Sequence, residues 1–285
     1  MMTAKRIVAV FFMGVLNLTA WAADTPAMTA RVGLIAGMAE EKAYLPRFKA
    51  IRALGTAIPL TESERSTLLA FLRRTDGTEG TDEMELAALK NDVTEHLLKL
   101  PGMPGAFARD LLDMQDDLAQ SATWRNYCIQ FLGKVYASTA DAELRAAVRG
   151  RLFQLIESTD PETCGTALMA LSSLSGNPEI DSTGVAARAM AVAGNPANRE
   201  GLRFTALQVA TDLGHAGAVP MARGWLTKEK AVNLKAVAIG VLGKHGTASD
   251  RALIEPYLSH PDPRLSAAAR AALKSPRKRG LNRNQ

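Results

Sequence analysis

The sequence predicts an all-α chain: an α-solenoid of about seven helix pairs, carried behind an N-terminal export signal. Three observations predict it. A helical motif with small residues on its apolar stripe recurs seven times along the 285 residues. Helix-ending and helix-starting residues punctuate the gaps between copies. No stretch alternates apolar and polar residues with the β-branched enrichment that strands require. Aromatic residues make up only 5% of the chain, which suits closely packed helices better than a sandwich or a barrel.

Each copy ends on an anchor leucine: Leu54, Leu97, Leu132, Leu171, Leu213, Leu242 and Leu273. Four residues earlier stand Ala50, Val93, Cys128, Ala167, Val209, Ala238 and Ala269; eight earlier stand Pro46, Leu89, Trp124, Thr163, Thr205, Leu234 and Leu265. Positions 0, −4 and −8 share one side of a helix, so each copy reads as an amphipathic helix. Gly55, Gly133, Gly214 and Gly243 directly follow anchors, where they suit helix C-termini or close helix contacts.

A second helical pattern fits between copies, most clearly over 141–157, 216–226 and 250–258. Asp160-Pro161, Asn177-Pro178, Asn195-Pro196 and Asp262-Pro263 read as helix starts, because a capping oxygen precedes a proline that loses no needed hydrogen bond at N1.

The run Asp262-Pro263-Arg264-Leu265-Ser266-Ala267-Ala268-Ala269-Arg270-Ala271-Ala272-Leu273 resembles the second helix of a HEAT repeat, and Leu234–Gly243 and Arg47–Gly55 resemble it nearly as well. The resemblance spans roughly 30–275 and is weakest around Leu89–Leu97. It implies a right-handed stack of HEAT-like pairs whose second helices line the concave side. A basic residue follows the first apolar position at Arg47, Lys90, Arg125 and Lys235, but Cys164, Ala206 and Ser266 interrupt that family feature. The fold so implied hosts scaffolds, transport factors and a few enzymes, so it does not name a function.

Residues 1–22 read as a secretory signal: basic Lys5-Arg6, an apolar run from Ile7 to Leu18, and the small-x-small exit Ala20-Trp21-Ala22. The apolar run is shorter than the roughly 20 residues that span a bilayer, so cleavage before Ala23 or Asp24 is expected rather than a retained anchor. The mature protein is then periplasmic or secreted. Divergent helical repeats are expected over 23–119, HEAT-like repeats over 120–275 and a basic tail over 276–285.

The formal charge of +5 is concentrated at the ends. Lys5 and Arg6 leave with the signal, and Lys274, Arg277, Lys278, Arg279 and Arg283 stand in a final dozen residues without an acid. Removing these seven leaves 27 basic against 29 acidic groups. A body of about −2 excludes the basic face that nucleic-acid binding needs. The tail reads as a solvated end or as a weak contact for an anionic envelope surface.

Chemistry is sparse. His96, His215, His245 and His260 form no local metal motif, and the Gly-rich loop at 77–80 lacks a phosphate-cradling Lys-Ser/Thr. No catalytic, cofactor or metal site is expected. HEAT-shaped DNA glycosylases fit neither the charge nor the address, and bilin lyases do not fit the address. Cys128 and Cys164 stand in successive copies of an exported chain, where a disulfide or two separate thiols are both open. The expectation is a non-catalytic scaffold that binds protein or peptide at the envelope; the alternative is a structural element tethered by the tail. Positions −6 and −2 point away from the apolar stripe, which singles out Asn126, Gln130, Met169, Leu207 and Thr211 as candidate partner-binding residues, with Arg125 beside Asn126 and Gln130 at the polar end.

Overall fold

The computed structural model describes residues 28–38, 43–55, 59–75, 82–100 and 103–274. The expected export signal and cleavage point, the 77–80 loop and the 276–285 tail lie outside the described residues. Among the described residues the chain is all-helical, without strands, and no helix is long and apolar enough to cross a membrane. Residues 28–35 form α1. There follow α2 (Tyr44–Arg52), α3 (Glu62–Leu72), α4 (Glu83–Leu97), α5 (Met103–Asp116), α6 (Ala122–Tyr136) and α7 (Ala142–Leu155). Then come α8 (Pro161–Ser173), α9 (Ser182–Gly194), α10 (Glu200–Asp212), α11 (Ala218–Lys228), α12 (Val232–His245) and α13 (Ala248–Ile254). A 3₁₀ turn (Glu255–Ser259) leads into α14 (Pro263–Lys274).

Local chemistry sets the boundaries. Thr61 with Glu64 and Asp82 with Glu85 form capping boxes on α3 and α4, and Asp160 accepts the Thr163 amide ahead of Pro161. Asp262 likewise precedes Pro263 at the start of α14. The other two Asx-Pro pairs are not helix starts. Asn177 and Asn195 accept the amides of Glu179 and Ala197 two residues on, closing turns, and α9 and α10 begin several residues later.

The glycines after the anchors divide into two kinds. Gly55 and Gly214 have φ of 64° and 73°, the left-handed conformation of a helix end. At Gly214 the His215 amide donates to the Ala210 carbonyl at 2.9 Å and Gly214 to Thr211 at 3.0 Å, a Schellman closure. Gly133 and Gly243 instead continue their helices and let a neighbour approach. A Cβ on Gly133 would lie 3.1 Å from the Ala170 Cβ, and one on Gly243 would lie 2.8 Å from the Ala272 Cα.

The chain divides into two compact units. The N-terminal unit runs to Phe131 and includes Ser138–Leu144; the C-terminal unit takes Leu132–Ala137 and continues from Arg145. In the N-terminal unit α4 packs on α2 and α3. Arg73 at the end of α3 pairs with Asp110 and Asp113 of α5 at 2.6 and 3.3 Å. In the C-terminal unit α8, α10, α12 and α14 each touch the next, forming one layer. The helices α9, α11 and α13 each pack against two successive members of that layer. Consecutive first helices are also tied by charge. Arg145 of α7 meets Glu179, just before α9, at 3.0 Å, and Arg223 of α11 meets Asp250 of α13 at 2.6 Å.

Candidate functional site

Helices α6, α8 and α12 share one burial pattern. In α6, Trp124, Cys128, Ile129, Phe131 and Leu132 are all buried, which marks positions −8, −4, −3, −1 and 0 counted from the anchor. In α12 the same positions hold Leu234, Ala238, Ile239, Val241 and Leu242, and α8 repeats the pattern from Ala167 to Leu171. In α10 and α12 two faces are buried because each packs both on its pair partner and on the next second helix. Position −2 falls between them and is exposed at Gln130, Met169, Gly240 and Ala271.

Helix α10 fits this pattern only when Ala210, not Leu213, is the anchor. Leu202, Ala206, Leu207, Val209 and Ala210 are then the five buried positions. Leu213 lies beyond the last helical residue and is half-buried. The expected frame was three residues late because Leu213-Gly214 imitates the anchor-glycine pairs of α6 and α12. In fact that pair is the helix stop.

This shift corrects two candidate residues. Leu207 is fully buried at position −3, and Thr211 is buried with its hydroxyl donating to the Leu207 carbonyl at 2.7 Å. Neither offers a surface to a partner. The outward residue of α10 is Gln208, which is exposed. Of the other candidates, Met169 is 59% exposed and Gln130 is exposed. Arg125 spends its Nε–H on the Gln115 carbonyl at the end of α5, at 2.9 Å. Asn126 is half-buried, and its Oδ1 is buried without a hydrogen-bond partner among the described residues.

The corrected frame also restores the basic ladder, since Arg203 now stands where Arg47, Lys90, Arg125 and Lys235 stand. These cations serve the fold. Arg47 donates from Nε and a terminal nitrogen to the Ile35 carbonyl at 3.0 and 2.8 Å, and Arg203 donates to the Ala193 carbonyl at 3.1 Å. Lys90 donates to the Arg74 carbonyl beyond α3. Each thus places positive charge at the carbonyl end of the preceding helix. Aromatic rings back four of them: Phe71, Trp124, Trp225 and Tyr257 lie 5.0, 5.3, 5.0 and 5.9 Å from Arg47, Lys90, Arg203 and Lys235. Where Cys164 takes the slot, its thiol donates to the Ile156 carbonyl at 3.2 Å and Arg188 of α9 donates to the same oxygen at 3.2 Å. Sequence reasoning missed Arg188 because the cation comes from the following helix.

Both cysteines are free and buried. Burial pushes the Cys128 thiol up to about 12 and raises that of Cys164, so neither is a ready nucleophile. His96 is buried with Nε2 unpaired among the described residues, and burial lowers its pKa. His215 and His260 accept the Gly217 and Asp262 amides through Nδ1 and shape turns. Among the described residues no group of three or more His, Cys, Asp or Glu is arranged to hold a metal.

The remaining candidate is the outward line of the C-terminal unit: Met169, Gln208, Gly240 and Ala271. Its flanks are charged but paired with one another. Lys244 of α12 meets Asp212 of α10 at 2.9 Å, and Arg264 of α14 reaches Asn233 of α12 at 3.3 Å. The centre of this line carries no charged side chain, and the polar rims beside it are tied to one another. No protein-family profile and no curated protein matches the chain.

Proposed function

We propose that this chain is a non-catalytic scaffold that binds protein or peptide in the periplasm or at the cell envelope. It does so with the outward line of the second helices, in a right-handed HEAT-type stack of about seven helix pairs. The observation that carries the reading is the repetition of an exposed, uncharged residue at position −2 of the second helices, at Met169, Gln208, Gly240 and Ala271. Repeats that present equivalent positions at regular intervals build extended binding surfaces. The export signal in residues 1–22 supports the address. The alternative, an envelope element held by the tail, draws on the basic residues from Lys274 to Arg283.

The two readings predict different losses. Met169→Glu with Gln208→Glu places two charges on the outward line at exposed positions. Capture of partners from envelope extracts should fall sharply, while Gln154→Glu with Ala187→Glu on the first helices should leave it unchanged. Unaltered capture by the first pair, together with loss on deleting 276–285, would favour the tether.

A further inference from the structure

Three methionines lie in the C-terminal unit, and the fold treats them differently. Met190 of α9 and Met221 of α11 are half-buried on first helices. Their methyl groups lie 3.1 and 3.3 Å from where a Cβ on Gly217 or on Gly194 would stand. Met169 of α8 is instead 59% exposed, at position −2. The residues that share the outward line with it, Gln208, Gly240 and Ala271, carry no oxidisable group.

Other oxidisable side chains of the fold are shielded. Cys128 and Cys164 are buried, and burial keeps both as thiols rather than thiolates. Trp124 and Trp225 are buried too. A thioether needs no deprotonation to react, so access to solvent decides which methionine is oxidised first. The sulfur lone pair attacks one oxygen of hydrogen peroxide; an S–O bond forms and the O–O bond breaks. The departing hydroxide takes the proton of the transferred oxygen and leaves as water. Sulfur loses two electrons and the peroxide gains them. The product is a polar side chain whose new acceptor oxygen needs a donor wherever a partner covers it.

We infer that Met169 is an oxidant-sensitive modification site: peroxide converts it to the sulfoxide, and the sulfoxide closes the outward line to its polypeptide partner. The inference rests on the scaffold reading of that line.

The test has two arms, both on the full mature chain. In the first, folded protein is treated with hydrogen peroxide, quenched with free methionine and mapped over time by peptide mass spectrometry. Met169 should react about as fast as Met84, which is 78% exposed at the start of α4, and at least about tenfold faster than Met114, which is 2% exposed. The melting temperature of the oxidised protein should stay within about 2 °C of the parent, because the modified side chain stands in solvent.

In the second arm a benzophenone amino acid at Gln208 reports partner contact before and after peroxide. Oxidation should cut cross-linking about tenfold, in the parent and in Met84→Leu alike. Whatever its starting level, Met169→Leu should cross-link equally before and after. Oxidation of Met169 at the rate of Met114 would overturn the site. A loss that persists in Met169→Leu, or an oxidised parent that cross-links as before, would overturn its effect. Absence of cross-links from Gln208 before any oxidation would instead sink the scaffold reading, and this inference with it.

Discussion

Arg203 donates to the Ala193 carbonyl at 3.1 Å while its guanidinium lies 5.0 Å from the centre of the Trp225 ring. The same side chain pairs with Glu229. One cation thus closes the end of α9, holds α11 through its tryptophan and ties the loop that follows. Replacing it with methionine keeps the volume but removes all three. Arg203→Met should lower the stability of the C-terminal unit by about 2 kcal/mol, the scale of a lost half-buried ion pair with a helix-end contact. Urea unfolding followed by Trp225 fluorescence measures it. An unchanged midpoint would mean that the ladder contributes nothing.

Close approach of α12 and α14 depends on Gly243. A Cβ there meets the Ala272 backbone at 2.8 Å, so the helices must separate. Gly243→Ala should cost about 1–3 kcal/mol despite improving helix propensity. Gly224→Ala, where nothing lies within 4 Å, should be neutral or stabilising. Thermal melts of the two variants should therefore move in different directions.

Much of this fold was legible because small residues at helical spacing have few other uses. The stripe through Leu234, Ala238 and Leu242 appears in the structure as it reads in the sequence. Helix α10 did not, for a definable reason. Leucine followed by glycine occurs both inside a helix, where glycine admits a neighbour, and at its stop, where glycine takes a positive φ. Composition cannot separate these cases, but the position of the cation could have. Placing Arg203 in the slot of Arg47 and Lys235 fixes Ala210 as the anchor without coordinates. The inter-helix service of Arg188 had no such signal, since its partner oxygen lies 32 residues away.

That register distinguishes neighbours on one helix. Leu207→Asp buries a charge without a partner and should cost several kcal/mol, enough to unfold the C-terminal unit. Gln208→Asp, one residue on and exposed, should leave the melting temperature within about 2 °C. Circular dichroism melts decide between them. Equal damage from both would return the frame to Leu213.

Acid should act through Asp250. The Arg223 guanidinium, donating at 2.6 and 3.0 Å, and the Thr247 amide and hydroxyl hold its carboxyl at about 2 against the opposing effect of burial. An unfolded aspartate titrates near 3.9, so the unfolded chain takes up the proton first as pH falls. The contribution, about 2 kcal/mol, is full above pH ~4.5 and is lost as pH drops toward 2. Asp250→Asn should be less stable at neutral pH and should lose less than the parent between pH 5 and pH 2.5. Parallel stability curves for the two proteins would count against this link.

Binding through the outward line is tested most directly by site-specific photo-cross-linking in the exporting cell. A benzophenone amino acid is placed singly at Met169, Gln208 and Ala271 on second helices, and at Ala187 on a first helix, all exposed positions. The account predicts that the three second-helix positions cross-link to the same envelope protein and that Ala187 does not. Cross-links from Ala187 alone, or none from Met169 and Gln208 in folded protein, would contradict it.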